Sequence, residues 1–158
     1  MTINKDSRLK RLGAAGIATI LATTAMNEGV RYVAYRDPVG IPTICMGSTL
    51  GVRMGMRATP AECDAMTMVD LYRHEDGMIR CGAKVNEWPF GVYEAFLDFT
   101  YNVGIGAFCK STAKRLLDVG NYKAACAQFD RWIYAGKLIL KGILWRRDWE
   151  EKTCLRDL

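Results

Sequence analysis

The chain is 158 residues long, half of them hydrophobic and a quarter charged, which is ordinary for one folded domain and enough to bury a real core. Its net charge of +5 suits an anionic partner such as nucleic acid, an acidic membrane surface or an anionic cell wall, and does not choose among them. His74 is the only histidine and no two of the cysteines form a C-x-x-C pair, so the close ligand pairs of a zinc site are missing.

In chain order, the first element is an N-terminal segment of two parts. Residues 1–11 carry Lys5, Arg8, Lys10 and Arg11 against a single Asp6, and residues 12–26, LGAAGIATILATTAM, carry no charge. A basic stretch before an apolar run is how export signals read. As a helix the run spans roughly 22 Å, less than the ~30 Å hydrocarbon core of a bilayer, and it is mostly Ala, Gly and Thr, so its hold on a membrane is marginal. Three readings stand side by side: a cleaved signal peptide ending near Thr23-Thr24-Ala25, an uncleaved weak anchor, or the first helix of a soluble domain, since Ile17, Ile20, Leu21 and Thr24 share one helical face.

Residues 29–60 change character. Gly29, Gly40, Gly47, Gly51 and Gly55, with Pro38, Pro42 and Pro60, punctuate short runs rich in strand formers, VRYVAY and TICM, which predicts a small antiparallel sheet. Thr59-Pro60-Ala61-Glu62 has the form of a helix start, with Thr as N-cap, Pro at the first position and Glu at the third, and predicts a helix through Met66, Val69 and Leu71 toward Met78. Further helices are expected at 89–102, 111–119, 121–134 and 144–155. Gly104 and Gly106 break the first of these, Gly120 ends the second, and Gly136 follows the third. The sum is a mostly helical α+β protein with a β lobe at about 29–60 and a helical lobe at about 61–158.

Six cysteines spread evenly over the chain suggest three disulfides and an oxidising compartment. Counting leaves many connectivities open. Nearest-neighbour pairing, Cys45 with Cys63, Cys81 with Cys109 and Cys126 with Cys154, closes loops of moderate length that usefully restrict the unfolded chain.

The stretch from Glu28 to Gly47 carries the candidate chemistry. Glu28 ends a helical run, Asp37 sits in a turn before Pro38, and Thr43 begins the next strand. A helix end and a hairpin can face each other, and glycoside hydrolysis needs two carboxyl groups flanking the sugar bond, one protonating the leaving oxygen and one serving water or attacking. The acid of such a pair needs an apolar surround to keep its proton. Spacing alone equally fits two solvated surface carboxylates.

The pattern E-G-x-R-x-x-A-Y-x-D-x-x-G-x-x-T-x-C-x-G, read from Glu28 to Gly47, closely resembles the active-site segment of phage lysozymes of glycoside hydrolase family 24. A second block agrees, Phe99-Thr100-Tyr101-Asn102-Val103-Gly104 through Gly106 and Phe108, followed by Ser111-Thr112. So does a third, Arg131-Trp132, Ala135-Gly136, Gly142, Arg146-Arg147 and Glu150. The resemblance runs from about 27 to 155. It implies a lysozyme-like fold with residues 27–158 as the lysozyme domain, and an enzyme that hydrolyses the β-1,4 bond between N-acetylmuramic acid and N-acetylglucosamine in peptidoglycan, for host lysis and phage release. By position, Glu28 is its general acid, and Asp37 and Thr43 assist the attacking water. Tyr101 and Asn102 line the groove, and one of Arg146 and Arg147, preferentially Arg147, holds Glu28. Without the family, the arginine pair reads as a solvated helix face. No metal or organic cofactor is implied, and a monomer is expected.

The sequence departs from the family at Ser48-Thr49, where His-Thr is usual after the glycine equivalent to Gly47. This puts in doubt whatever contact that His makes. His74 has no equivalent place and reads as a surface residue. Some phage lysozymes carry an uncleaved signal-arrest-release segment that tethers them, inactive, to the periplasmic face of the inner membrane. Residues 12–26 resemble it and directly precede Glu28, and cleavage would remove the helix that positions the acid. The expectation is export to the host periplasm, transient inner-membrane tethering through residues 12–26, and release on depolarisation. Residues 1–44 contain no cysteine, so a caging disulfide from this segment is excluded. Three other readings remain: a lytic transglycosylase using Glu28 without Asp37, a basic peptidoglycan-binding module, and a nucleic-acid binder. The last has scattered basic residues and no motif behind it.

Overall fold

The structure is a computed structural model and describes residues 4–135, 138–139 and 141–158. Gly136, expected to follow a helix, lies outside the described residues. The chain divides into two compact units, Arg11–Arg73 and Met1–Lys10 with His74–Leu158.

The first unit opens with α1, Ala14–Glu28. Ile20, Thr23 and Thr24 are its buried residues, a spacing that keeps one stripe inward, while Ile17 and Leu21 beside them are half-buried. No helix among the described residues is long and apolar enough to cross a membrane. Strand β1, Arg31–Arg36, pairs antiparallel with β2, Pro42–Cys45, in a register that sets Tyr35 opposite Thr43 and Arg31 opposite Cys45, with an irregularity between. Residues 56–58 line the other edge of β1, where Ala34 N donates to Met56 O at 2.9 Å and Ala58 N to Tyr32 O at 3.0 Å. The small core beneath comprises Ala34, Ile44, Cys45, Val52 and Cys63, with a disulfide joining Cys45 to Cys63 across a Cα separation of 5.0 Å.

Helix α2, Pro60–Arg80, runs from the first unit into the second. Its start is a reciprocal capping box: Thr59 N donates to Glu62 Oε2 at 2.7 Å, and Glu62 N donates to Thr59 Oγ1 at 3.3 Å. Cys63, Thr67, Leu71, Glu75 and Met78 are buried along it at three- and four-residue steps, with Asp70 buried beside Leu71. Val69, on the expected apolar face, is exposed.

The second unit is helical. Its central helix α3, Phe90–Val103, is buried from Gly91 to Thr100 and packs chiefly on α7, Lys141–Leu155. Between them come α4, Ile105–Lys110, α5, Thr112–Asp118, and α6, Tyr122–Cys126. The short strands β3, Tyr134–Ala135, and β4, Leu138–Ile139, follow and pair antiparallel. Phe96 lies among Trp88, Phe99, Phe108 and Phe129, with ring centroids 4.7 to 6.2 Å away. Disulfides join Cys81 to Cys109 and Cys126 to Cys154.

Two expectations change here. Gly104 does end α3, at φ 88°, but its carbonyl accepts from Phe108 N at 3.1 Å and starts α4, which accommodates Gly106. The helix expected over 121–134 stops at Cys126. From Gln128 onward i→i−3 bonds replace the α-helical ones, as in Gln128 N to Ala125 O, Arg131 N to Gln128 O and Trp132 N to Phe129 O. The tightened turn puts Phe129 inside with Cys126, both essentially without exposure.

Candidate active site

Glu28 is the last residue of α1. Gly29 closes the helix with φ 72°, a conformation costly for a side-chain-bearing residue, and donates its N–H to Ala25 O at 2.9 Å. The chain then turns into β1, leaving Glu28 half-buried at the junction.

Asp37 follows β1 and builds the hairpin turn. Its Oδ1 accepts from Val39 N at 3.0 Å and from Ile41 N at 2.8 Å, its own N–H donates to Ile41 O at 3.0 Å, and its carbonyl accepts from Gly40 N at 2.9 Å. Gly40 takes φ 88°, which this turn requires. Arg36 Nη1 donates to Gly40 O at 2.8 Å and braces the loop. Thr43, buried in β2, donates its hydroxyl to Ile41 O at 3.0 Å. The backbone of Ile41 therefore joins the two: its N–H fixes one oxygen of the Asp37 carboxylate and its carbonyl fixes the Thr43 hydroxyl. Both Asp37 carboxylate bonds fall on Oδ1, so Asp37 is a half-buried, oriented group and not a freely solvated one.

Ser48 is buried, and its hydroxyl has no hydrogen-bond partner among the described residues. It lines a cavity of about 100 Å³ with Leu50, Met66, Val69 and Asp70. Asp70 is buried there, its Oδ1 3.3 Å from Arg73 Nη2.

The remaining candidates belong to the second unit. Tyr101 and Asn102 occupy the last turn of α3. Tyr101 packs its ring against His74, centroids 4.9 Å apart, so His74 is half-buried and supports a candidate groove residue. Asn102 is exposed, and its Oδ1 accepts from Arg147 Nη2 at 2.5 Å. An arginine only donates, so the atom it meets is the amide oxygen and the Asn102 NH2 is turned outward.

Arg147 also donates from Nη1 to both Glu150 oxygens, at 2.6 and 2.5 Å, and from Nε to Trp132 O at 3.1 Å, with its guanidinium 5.0 Å from the Phe99 ring centre. Arg146 donates from Nε to Asp98 Oδ2 at 3.1 Å and to Glu150 Oε1 at 3.3 Å, and from Nη2 to the Asp98 carbonyl at 3.2 Å. All four ionisable groups are buried, so this pair is not a solvated helix face. Burial pushes the Glu150 carboxyl up to about 8, Arg147 opposing and Asp98 adding to the rise.

Asp98 and Glu150 were not among the candidates picked from sequence as site residues. The signal was there, since Glu94 and Asp98 are carboxylates one turn apart inside the apolar run FGVYEAFLDF, and a charge in such a place needs a partner. A larger cavity, about 450 Å³, is lined by Lys110, Ser111, Gln128, Arg131 and Trp132 and borders none of Glu28, Asp37 or Thr43.

Comparison with known proteins adds a family to this geometry. A family model for phage lysozymes matches residues 25–150. The SAR-endolysin of bacteriophage PS119 is 38% identical over 153 residues, spanning 90% of this chain and 87% of that protein. The SAR-endolysin of Pseudomonas phage phiKMV is also 38% identical over 153 residues, spanning 92% of each. Among solved structures, a mutant of P22 lysozyme superposes with a TM-score of 0.76 at 31% identity, over 91% of this chain and 97% of that one. The chain belongs to the phage lysozyme family and is a peptidoglycan-hydrolysing enzyme.

Proposed function

We propose that this lysozyme cleaves the β-1,4 bond between N-acetylmuramic acid and N-acetylglucosamine with Glu28 as general acid and with Asp37 and Thr43 directing the attacking water. Glu28 gives its proton to the glycosidic oxygen as the bond from that oxygen to the anomeric carbon breaks. A water attacks that carbon from the opposite face and passes its proton to Asp37, which inverts the anomeric configuration. The observation that carries this reading is the Ile41 link. With Oδ1 held by two backbone N–H groups, the Asp37 carboxylate keeps one orientation and turns Oδ2 to the water. Thr43, its hydroxyl proton committed to Ile41 O, offers that water an acceptor. Tyr101 and the outward amide of Asn102 contact the sugar and its acyl groups, and Arg146 and Arg147 support the site.

We further propose that residues 1–26 act as a signal-arrest-release segment ahead of a lysozyme domain at 27–158, and that the enzyme is exported as a monomer, held at the inner membrane by residues 12–26 and released into the periplasm. The SAR-endolysin names of two relatives and the weak apolarity of α1 support this. The test of the chemistry is clearing of chloroform-treated Gram-negative cells by the wild type and by Glu28→Gln, followed by analysis of the released muropeptide ends. Clearing by the wild type alone, with new reducing sugars, is the expected result. Anhydro ends would mean a transglycosylase, and undiminished clearing by Glu28→Gln would remove Glu28 from its role.

A further inference from the structure

The basic residues before α1 read, in the sequence, as the head of an export signal. In the fold Arg8 and its neighbours are bound to the protein. Ser7 and Leu9 are buried, at 2% and 1% exposure. They sit against Glu75 of α2, a carboxylate with no exposure at all. Glu75 accepts from the Ser7 hydroxyl, from the backbone N–H of Arg8 at 2.9 Å and of Leu9 at 3.0 Å, and from the Tyr93 hydroxyl at 2.8 Å. Arg8 donates from Nη1 to the carbonyls of Val85 at 2.9 Å and Trp88 at 2.6 Å, and its guanidinium stands 4.7 Å from the Tyr93 ring centre. Asn4 donates to Asp76 at 3.0 Å, and Asn86 donates to the Asp6 carbonyl at 2.6 Å. The partners lie 66 to 80 positions away in sequence, so this is tertiary binding and not a local turn.

Only Leu12 and Gly13 separate this stretch, whose 3-10 turn is Leu9–Arg11, from α1. A chain with residues 12–26 across a bilayer would hold residues 4–9 on the far side of a hydrocarbon layer ~30 Å thick, out of reach of Glu75. Without the segment, Glu75 keeps only Tyr93 among these partners, and the surface that Ser7 and Leu9 cover is returned to water. We infer that Glu75, with the carbonyls of Val85 and Trp88, is a binding site for the chain's own Asn4–Leu9 segment, filled only when residues 12–26 have left the membrane and holding the chain in its released form. The inference rests on the signal-arrest-release reading above. It gives the basic segment two successive partners: as cations the residues keep the N-terminus at the cytoplasmic face, and after release Arg8 and its neighbours become donors to a waiting set of acceptors.

Two measurements on the full-length, oxidised chain test this. The first is amide hydrogen exchange of Arg8 and Leu9 in the soluble protein. Both are expected to be protected in the wild type and to exchange faster, by about tenfold or more, in Glu75→Leu, since a charge-assisted bond to each is lost. Leu9→Asp should do the same without altering residues 74–158, which covers the case in which Glu75→Leu does not fold. The second is fractionation of expressing cells into membrane and soluble pools over time, where both variants should accumulate in the membrane pool and release several-fold less protein. Unprotected Arg8 and Leu9 in the wild type would overturn the site. Lost protection with unchanged release would overturn its role in holding the released form. A wild-type chain never found in the membrane pool would overturn the signal-arrest-release reading and the timing with it, while protected amides would still support the site itself.

Discussion

The two units of the chain solve opposite problems. The unit containing His74–Leu158 buries phenylalanines around Phe96 and shelters Glu75, Asp98, Arg146, Arg147 and Glu150, each with partners named above. The unit Arg11–Arg73 has a small core of Ala34, Ile44, Cys45, Val52 and Cys63 and exposes Tyr32, Val33, Val39, Ile41, Leu50, Met54 and Met56. Yet it is this thinner unit that carries Glu28, Asp37 and Thr43. Residues proposed for bond cleavage stand on a helix end, a turn and the start of a strand, and the heavily packed unit supplies order. A small unit with reactive tips needs support of another kind. Here that is the Cys45–Cys63 disulfide joining β2 to α2 and the backbone wiring through Ile41.

If this contrast holds, the largest effect comes from removing that disulfide. Cys45→Ser with Cys63→Ser should cost roughly 3 kcal/mol, the usual worth of closing a loop of this size. The loss should concentrate in the first unit: amides of residues 30–58 should exchange faster, activity should fall, and residues 90–103 should keep their protection. Equal loosening of residues 90–103 would break the comparison, because the two units would then share one stability.

The second test bears on the buried charges of the helical unit. Burial pushes the Glu150 carboxyl up to about 8 in the folded chain, from 4.5 for a solvated one. The folded state therefore binds more protons than the unfolded state between those values, and folding stability should fall as pH rises from about 5 to 8 and level off above. Thermal midpoints measured across this range should slope downward in the wild type and flatten in Glu150→Gln. A wild-type midpoint that rises with pH would mean that the arginines dominate burial and that Glu150 is ionised throughout. Because Arg147 bonds both Glu150 and Asn102, the same titration should loosen the Asn102 amide, which a pH-dependent KM would report.

These contrasts also separate what the sequence made legible from what it hid. The Thr59–Glu62 start, the end of α1 at Gly29 and the Asp37 turn are local: each depends on residues within a few positions, where propensity and spacing carry the information. Glu28, Asp37 and Thr43 stood out only through the family resemblance of their motif, since their spacing alone equally fits solvated carboxylates. The binding of Ser7, Arg8 and Leu9 to Glu75 was not, because a buried carboxylate and its donors sit far apart in sequence, and a basic stretch before an apolar run reads the same whether solvated or bound. The buried state of Arg146 and Arg147 was hidden likewise, since α7 looks polar until Asp98 is placed beside it. Helix α4 escaped because Gly106 argues locally against a helix that Phe108 and Cys109, held in the core and in a disulfide, impose. The Phe129 turn shows the same override in the other direction.

The smallest effect is the sharpest probe of α2, the helix that runs through both units. Thr59→Ala removes the acceptor for Glu62 N and should cost about 1 kcal/mol, a shift of a few degrees in the thermal midpoint for a chain of this size. The cap has a pH signature of its own. The Thr59 backbone N–H, and then its hydroxyl, hold the Glu62 carboxyl below its ordinary value, so the contribution is present above the usual glutamate range and is lost as pH falls through the lowered value. The wild-type and Thr59→Ala midpoints should therefore differ most at neutral pH and less in acid, where the bond from the hydroxyl to the Glu62 carboxylate is gone and only the Glu62 N–H bond to Thr59 Oγ1 still separates them. Since residues 60–73 belong to the unit with the smaller core, hydrogen exchange in the variant should rise first at Cys63 and Met66 and last at Met78. Uniform loosening along α2 would show that the helix frays as one rod, and that the boundary near Arg73 has no energetic counterpart.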